Sequence, residues 1–159
     1  MKVGRFCSTA MLLTALLAAV HPAGVGAATT ERVVTDRYTG LAIGGIDPVA
    51  YFTDARPLRG EPGLEAAAAG AIWRFRNDGN RASFVARPDL YAPQFGGYDP
   101  VDVARGVAYS GNPQLWVIVG ERLYLFGTEA NRAAFVASAG RYLTEAASRW
   151  PVVCETLAQ

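Results

Sequence analysis

Residues that carry imidazole, amine and thiol chemistry are scarce in this chain. Its 159 residues include one histidine, two cysteines and two methionines, and Lys2 is the only lysine. All of these except Cys154 lie within the first 28 residues. Without that segment, the chain has no histidine for Ser-His-Asp or Cys-His catalysis and no lysine for a Schiff base. It also has no second thiol for an internal disulfide. Carboxylates, tyrosines, arginines and backbone groups remain.

The first 28 residues have the composition of a secretory signal peptide. Lys2 and Arg5 form a positively charged start, and the stretch from Phe6 to Val20 is mostly apolar. Val25-Gly26-Ala27 predicts cleavage after residue 27 or 28. An uncleaved membrane anchor is the alternative, but the apolar run is shorter than the roughly 20 residues that a spanning helix needs. We therefore expect a periplasmic or secreted protein that is not embedded in a membrane after cleavage.

Long stretches of one charge are also absent. The formal net charge is +1, with 51% hydrophobic and 18% charged residues, so the chain can bury a core. Removing Lys2 and Arg5 lowers the basic residues from 15 to 13 against 14 acidic ones, a net charge of −1. This balance argues against a nucleic-acid partner. We expect a signal peptide over 1–28, one domain over 36–151 and a C-terminal tail over 152–159.

Cap and turn signals predict the elements of the first half. Asp47-Pro48 is typical of the start of a short helix, with aspartate as the N-cap. The stretch from Leu64 to Phe75 is read as a hairpin that turns at Gly70, although Glu65 to Ala69 also has helix propensity. Asn77 caps a helix that extends to Ala86.

The second half contains the clearest hairpin. Leu115 to Val119 and Arg122 to Phe126 are rich in β-branched and aromatic residues and are joined by a two-residue turn of the Gly-X kind. Asp99-Pro100 predicts another short helix, and Thr128 caps a helix over 129–137. Gly140 is expected to interrupt the helices, and Trp150-Pro151 to end the last one.

A polar and aromatic pattern recurs at a fixed spacing of 51 residues (126 minus 75). Each copy contains an aromatic residue, an Asn-Arg-Ala triplet, a Phe-Val-Ala triplet and a tyrosine. The matched positions are Phe75 and Phe126, Asn80 and Asn131, Phe84 and Phe135, and Tyr91 and Tyr142. We interpret this as duplication of a ββα unit, which predicts a single small α+β domain whose two units share one core. The alternative is convergence, since any hairpin followed by a short helix tends towards this pattern.

Several of these stretches together resemble the YHS-domain family in its small secreted form. The stretches that carry the resemblance are Gly44 to Phe52, Trp73 to Phe75, Asn80 to Phe84, Tyr91 to Tyr98, Gly111 to Pro113, Trp116, Leu123 to Leu125 and Trp150-Pro151. The resemblance implies a small α+β domain and favours the hairpin over the helix for Leu64 to Phe75. Related modules accompany heavy-metal transport ATPases and some oxygenases, where a cysteine-containing site is thought to bind metal. Typical secreted members have cysteine where this chain has Asp99.

Five residues are candidates for a binding pocket. Asp47 and Asp99 each follow a glycine pair and precede a proline, so they are read either as helix caps or as two carboxylates facing one pocket. Tyr51, Tyr91 and Tyr98 are aromatic candidates for its lining. The large aromatics expected in the core are Trp73, Phe75, Phe84, Trp116, Phe126 and Phe135.

Taken together, the sequence predicts a non-enzymatic binding or accessory module for a small ligand or a partner protein, with no catalytic residue and no identifiable cofactor. Metal handling is the first alternative, weakened because tight Cu(I) or zinc sites use several Cys or His ligands. We therefore expect no such site, and replacing Asp99 by cysteine alone would not create one. The second alternative is an enzyme that uses Asp47, Asp99 or Asp102. Cys154 either links two chains through a disulfide or remains a free thiol.

Overall fold

The computed structural model describes residues 32–157, so the predicted signal peptide and its cleavage site lie outside the described residues. Two short 3₁₀ turns, at Ile43–Gly45 and Gln94–Gly97, each precede a set of helices and strands. The remaining elements, in chain order, are α1 (Ala50–Thr53), β1 (Glu65–Ala68), β2 (Ala71–Arg74), α2 (Asp78–Ala86), α3 (Pro88–Tyr91), α4 (Pro100–Ala104), β3 (Asn112–Val119), β4 (Arg122–Phe126), α5 (Glu129–Ala137) and α6 (Ala139–Thr156).

This order confirms the predicted α+β class and repeats itself within the chain. Unit 1 (residues 43–91) and unit 2 (residues 94–156) each run through a 3₁₀ turn, a helix, a hairpin and two helices. Backbone hydrogen bonds are duplicated too. The Asp47 N–H donates to Leu58 O at 2.9 Å, and the Asp99 N–H donates to Tyr109 O at 2.9 Å.

Both hairpins are antiparallel and close through two residues with positive φ. Ala69 and Gly70 have φ of 51° and 77°, and Gly120 and Glu121 have φ of 57° and 59°. This is the geometry of a type I′ turn, whereas a Gly-X turn needs a positive φ at the first position only. The prediction of a hairpin between 64 and 75 is confirmed.

The alanines of β1 form a strand because alternate side chains face the core and the solvent. Ala66 and Ala68 pack against the first hydrophobic cluster, whereas Ala67 is exposed. Only a strand places alternate residues on one face. Burial against Trp73, which is paired with Ala66 across the hairpin, therefore outweighs the helix propensity of the alanines.

Strand β4 lies between two hydrophobic clusters and contributes to both. Leu123 and Leu125 belong to the first cluster, together with the aromatics of unit 1, and Tyr124 and Phe126 belong to the second. All four side chains are buried. The predicted core aromatics are buried apart from Trp116, which is partly buried against the first cluster. The two units thus share the two faces of one strand.

The faces used by the two units are not equivalent. Ile72 and Arg74 occupy in β2 the positions that Leu123 and Leu125 occupy in β4. Ile72 remains 40% exposed, and the Arg74 Nη2 atom lies 2.7 Å from Glu65 Oε1 in an ion pair. Unit 2 therefore packs against unit 1 through this face of β4, whereas the equivalent face of β2 in unit 1 is directed towards solvent.

Helix α6 covers the second cluster and extends further than expected. The prediction that Trp150-Pro151 ends the last helix is wrong, because α6 continues through Pro151 to Thr156. Val153, only 2% exposed, supplies the reason, since burying it requires the extra helical turn. Most of the expected tail is thus helix, and the break before α6 lies at Ser138 rather than at Gly140.

Candidate functional site

Asp47 is buried and acts as a hydrogen-bonding centre within unit 1. Its Oδ1 accepts the Val49 N–H at 2.8 Å, just before α1. Its Oδ2 accepts the Arg76 N–H at 2.9 Å and the Asn80 side-chain amide at 2.7 Å. With 0% exposure, the carboxylate joins the start of α1 to the end of β2 and to α2.

Asp99 repeats this arrangement in unit 2. As the N-cap of α4, it accepts the Val101 N–H on Oδ1 at 2.9 Å. Its Oδ2 accepts the Gly127 N–H and the Asn131 side-chain amide, both at 2.8 Å. Asp99 is also 0% exposed. The Asn-Arg pairs that marked the repeat thus supply Asn80 and Asn131 as partners of these carboxylates, a role that the sequence did not suggest.

The two carboxylates belong to separate networks. Within residues 32–157, no donor bonds to both Asp47 and Asp99. Asp99 instead lies close to Asp102, because the Asn131 Nδ2 donates to both, at 2.8 and 3.0 Å. Asp102 also holds the Arg105 Nη1 at 2.9 Å. The buried oxygens of Asp47 and Asp99 face backbone and amide donors. Asp99 caps α4 as predicted, whereas α1 begins at Ala50 with Val49 at its N-cap position, so the prediction of Asp47 as the N-cap is wrong and Asp47 instead fixes the turn that precedes α1.

Tyr51 and Tyr98 lie in the core. Tyr51 is 1% exposed, donates its hydroxyl to Pro113 O at 2.8 Å and meets Trp116 edge-to-face at 5.2 Å. Burial raises the pKa of the Tyr51 phenol. Tyr98 is 5% exposed in the second cluster, with its ring 6.0 Å from Trp150. Both rings connect elements, and Tyr51 joins unit 1 to unit 2.

Tyr91 is the candidate that lines an open cavity. We name this cavity, of about 510 Å³, the Tyr91 groove. Unit 1 contributes an aromatic wall, in which Phe52 meets Tyr91 edge-to-face at 5.3 Å. The Arg87 guanidinium lies 5.9 Å from the Tyr91 ring centre. The complete lining consists of Phe52, Arg87, Leu90 and Tyr91 from unit 1 and Ile118, Gly120 and Glu121 from unit 2.

The groove is open because α3 is short. Ala92 follows α3 in an extended conformation, as expected for a residue that precedes a proline, and α3 ends at Tyr91. In unit 2 the matching helix continues as α6, and the matching tyrosine, Tyr142, is only 9% exposed. The same position therefore fills the core in one unit and lines a groove in the other.

The groove combines an apolar floor with one charge of each sign. Phe52, Leu90 and Ile118 are each partly buried, whereas Arg87 and Glu121 are exposed. Such a surface suits a small, mostly apolar ligand with a polar end. The sequence indicated Tyr91 but not its neighbours, because residues from two units form the groove.

Cys154 lies on α6 and is half-buried. Burial raises the pKa of its thiol, and nearby Arg32 acts in the opposite direction. The disulfide-linked dimer through this residue stays a prediction.

Among the described residues, no group of three His, Cys, Asp or Glu side chains is placed to share a metal ion. None of the helices described is long and apolar enough to cross a membrane.

Comparison with known proteins gives no relative for this chain. No family model, curated protein or solved structure matches it.

Proposed function

We propose that this chain is an exported YHS-like module without catalytic activity that binds a small, mostly apolar ligand in the Tyr91 groove. The observation that carries the proposal is the pair of half-buried rings, Phe52 and Tyr91, at the junction of the two units. An apolar ligand would replace water on these rings, which is the main favourable term in binding of this kind.

The structural roles of Asp47 and Asp99 support the choice of the Tyr91 groove as the binding site. Asp47 and Asp99 each accept three hydrogen bonds from within their own unit. A carboxylate bonded in this way is already committed to structure, and a general acid or base needs to reach a proton of the substrate. Within residues 32–157, the Tyr91 hydroxyl forms no such hydrogen bonds, and Tyr91 lines a cavity of about 510 Å³.

A fragment screen by protein-observed NMR tests the proposal. We expect aromatic and aliphatic fragments to shift the amide signals of Tyr91, Leu90 and Ile118. Tyr91→Ala removes the ring from the floor and should weaken binding roughly tenfold or more. Tyr38→Ala is the matched control, because Tyr38 is 87% exposed and does not line the groove.

A second pair of variants tests the wall from unit 2. Ile118→Ser should weaken binding, whereas Val119→Ser, its neighbour on β3 that is not part of the lining, should not. Circular dichroism establishes that all four variants are folded. Fragments that bind Tyr91→Ala as tightly as the unmodified protein, or that shift signals only elsewhere, would contradict the proposal.

A further inference from the structure

A second cavity, of about 700 Å³, lies on the other side of unit 2. We name it the α6 cleft. It runs between the turn that follows α4 and the outward face of α6, and it is independent of the Tyr91 groove, with which it shares no lining residue. Arg105 and Arg149 both line it, together with the hydroxyl residue Ser148.

Arg105 is held in position by a chain of side chains that begins in the core. Its Nη1 lies 2.9 Å from Asp102 Oδ1, and Asp102 accepts the Asn131 amide at 3.0 Å. Asn131 is 9% exposed and is itself bonded to Asp99. A guanidinium carries five N–H donors, and this ion pair uses one of them. Within residues 32–157, Asp102 is the only carboxylate in an ion pair with Arg105, whose side chain is 59% exposed.

Arg149 reaches the same opening from α6. Its spacing from Glu145 is the i, i+4 arrangement that favours an ion pair on a helix. Within residues 32–157, however, Arg149 makes no ion pair within 4.0 Å. Its Nη1 instead lies beside Gly106, where a Cβ atom would approach it to 3.8 Å. Gly106 follows Arg105 in the chain, so both arginines line the cleft beside the end of α4.

We propose that the α6 cleft binds a small oxyanion, a carboxylate or phosphate group, between Arg105 and Arg149. Guanidinium groups match the planar geometry of such anions with paired N–H donors. Ser148 adds a hydroxyl donor at the same cleft. Glu145, also in the lining, opposes an anion. The site therefore binds weakly, and removal of Glu145 strengthens it.

Titration with inorganic phosphate and with acetate at low ionic strength tests the site, with amide shifts near Gly106 and Ser148 as the readout. Arg149→Gln should weaken binding roughly tenfold, and Arg105→Gln should weaken it as well. Glu145→Gln should tighten it. Arg141→Gln is the matched control, since Arg141 is on α6 but lies over the Tyr142 ring at 4.4 Å and does not line the cleft.

Tighter binding of phosphate than of acetate would assign the cleft to phosphate groups, and the reverse order would assign it to carboxylates. Equal weakening by Arg141→Gln and Arg149→Gln would mean that only the overall charge matters, and this would overturn the proposal. The proposal would also be overturned if neither probe shifted the signals of Gly106 and Ser148.

Discussion

Individual buried side chains in this protein hold the helices to the strands. The Asp47 and Asp99 carboxylates each satisfy two backbone N–H groups and one asparagine amide. The hydrogen bonds from the Val49 and Val101 N–H groups and from the Asn131 amide are buried, so these donors would otherwise lack a partner. Losing a buried partner costs more than the hydrogen bond itself contributes, because the remaining group stays desolvated. Each of these two aspartates therefore contributes more to the stability of the fold than a single hydrogen bond would.

Replacing either aspartate tests this directly. Asp47→Ala and Asp99→Ala should each lower the free energy of unfolding by about 3 kcal/mol, since three donors lose their acceptor at once and at least one of them is buried. Urea denaturation measures the loss. Asp78→Ala is the control, because Asp78 is exposed in an i, i+3 ion pair with Arg81, a type that contributes at most about 1 kcal/mol. Similar urea midpoints for Asp99→Ala and Asp78→Ala would contradict this view.

Tyr51 gives a prediction that depends on pH. Its pKa is raised by burial, so the folded state keeps the phenol neutral at pH values where the unfolded chain ionises it, above about pH 10. The stabilisation by this group is thus fully present below about pH 10 and is lost as the pH rises further.

Comparison with Tyr51→Phe isolates this effect. Near pH 7 the variant should be less stable by about 1 kcal/mol, because Pro113 O loses its hydrogen bond. As the pH rises above about 10, the difference should shrink, since the variant has no phenol to ionise at this position. Denaturation at a series of pH values would detect it, and a difference that stays constant up to about pH 11.5 would count against a buried neutral phenol.

At the scale of elements, α6 departs most from the ordinary rules. Proline lacks the N–H that would bond the carbonyl four residues earlier, yet Pro151 lies inside the helix. Trp150 packs against the second cluster before the proline, and beyond it Val153 is buried and Leu157 packs against the same cluster. This packing keeps the helix continuous.

Removing the proline should therefore stabilise the protein. Pro151→Ala restores the missing donor on an exposed face and should raise the free energy of unfolding by about 1–3 kcal/mol. Pro88→Ala provides the comparison, because Pro88 occupies the first turn of α3, where its N–H is not needed. Thermal unfolding would show a higher midpoint for the first variant only. A decrease for Pro151→Ala would show that the ring itself contributes to packing.

The same elements show what the sequence can predict. Thr128 and Asn77 cap helices as expected, and both hairpins form, because these features depend on residues close together in the chain. The continuation of α6 beyond Pro151 depends on the burial of Val153 and on the packing of Leu157 against the second cluster, which no local pattern reports. The Tyr91 groove was only partly predictable for the same reason, since Ile118 belongs to the other unit.

At the scale of the whole molecule, the duplicated units pack through unlike faces. Unit 2 buries Leu123 and Leu125 against unit 1, whereas the matching positions of unit 1 hold the exposed Ile72 and the ion-paired Arg74. An interface of this kind is heterologous and leaves an uncovered face at each end. In unit 1 the uncovered face of the hairpin is made polar by the ion pair Glu65–Arg74. In unit 2 the second hydrophobic cluster is covered by α6.

Shortening α6 should uncover that second end. Deletion of residues 150–159 removes Trp150, which packs on Phe95 and Tyr98, together with the buried Val153. We expect a loss of several kcal/mol, by analogy with about 3–5 kcal/mol for truncating a buried tryptophan, and association through the exposed cluster. Light scattering during size-exclusion chromatography measures the association. Deletion of residues 158–159 leaves Trp150, Val153 and Leu157 in place and should behave like the full chain. Equal behaviour of the two deletions would contradict the covering role of α6.

The sharing of β4 also constrains the order in which this chain can fold. Leu123 and Leu125 complete the cluster of unit 1 but follow all of unit 1 in the chain, so the aromatic residues of unit 1 stay uncovered until the second hairpin forms. Contacts that span so much sequence are slow to form and expose apolar surface in the meantime. Two copies of one motif have thus produced a single folding unit, in which the earlier copy depends on the later one to become stable.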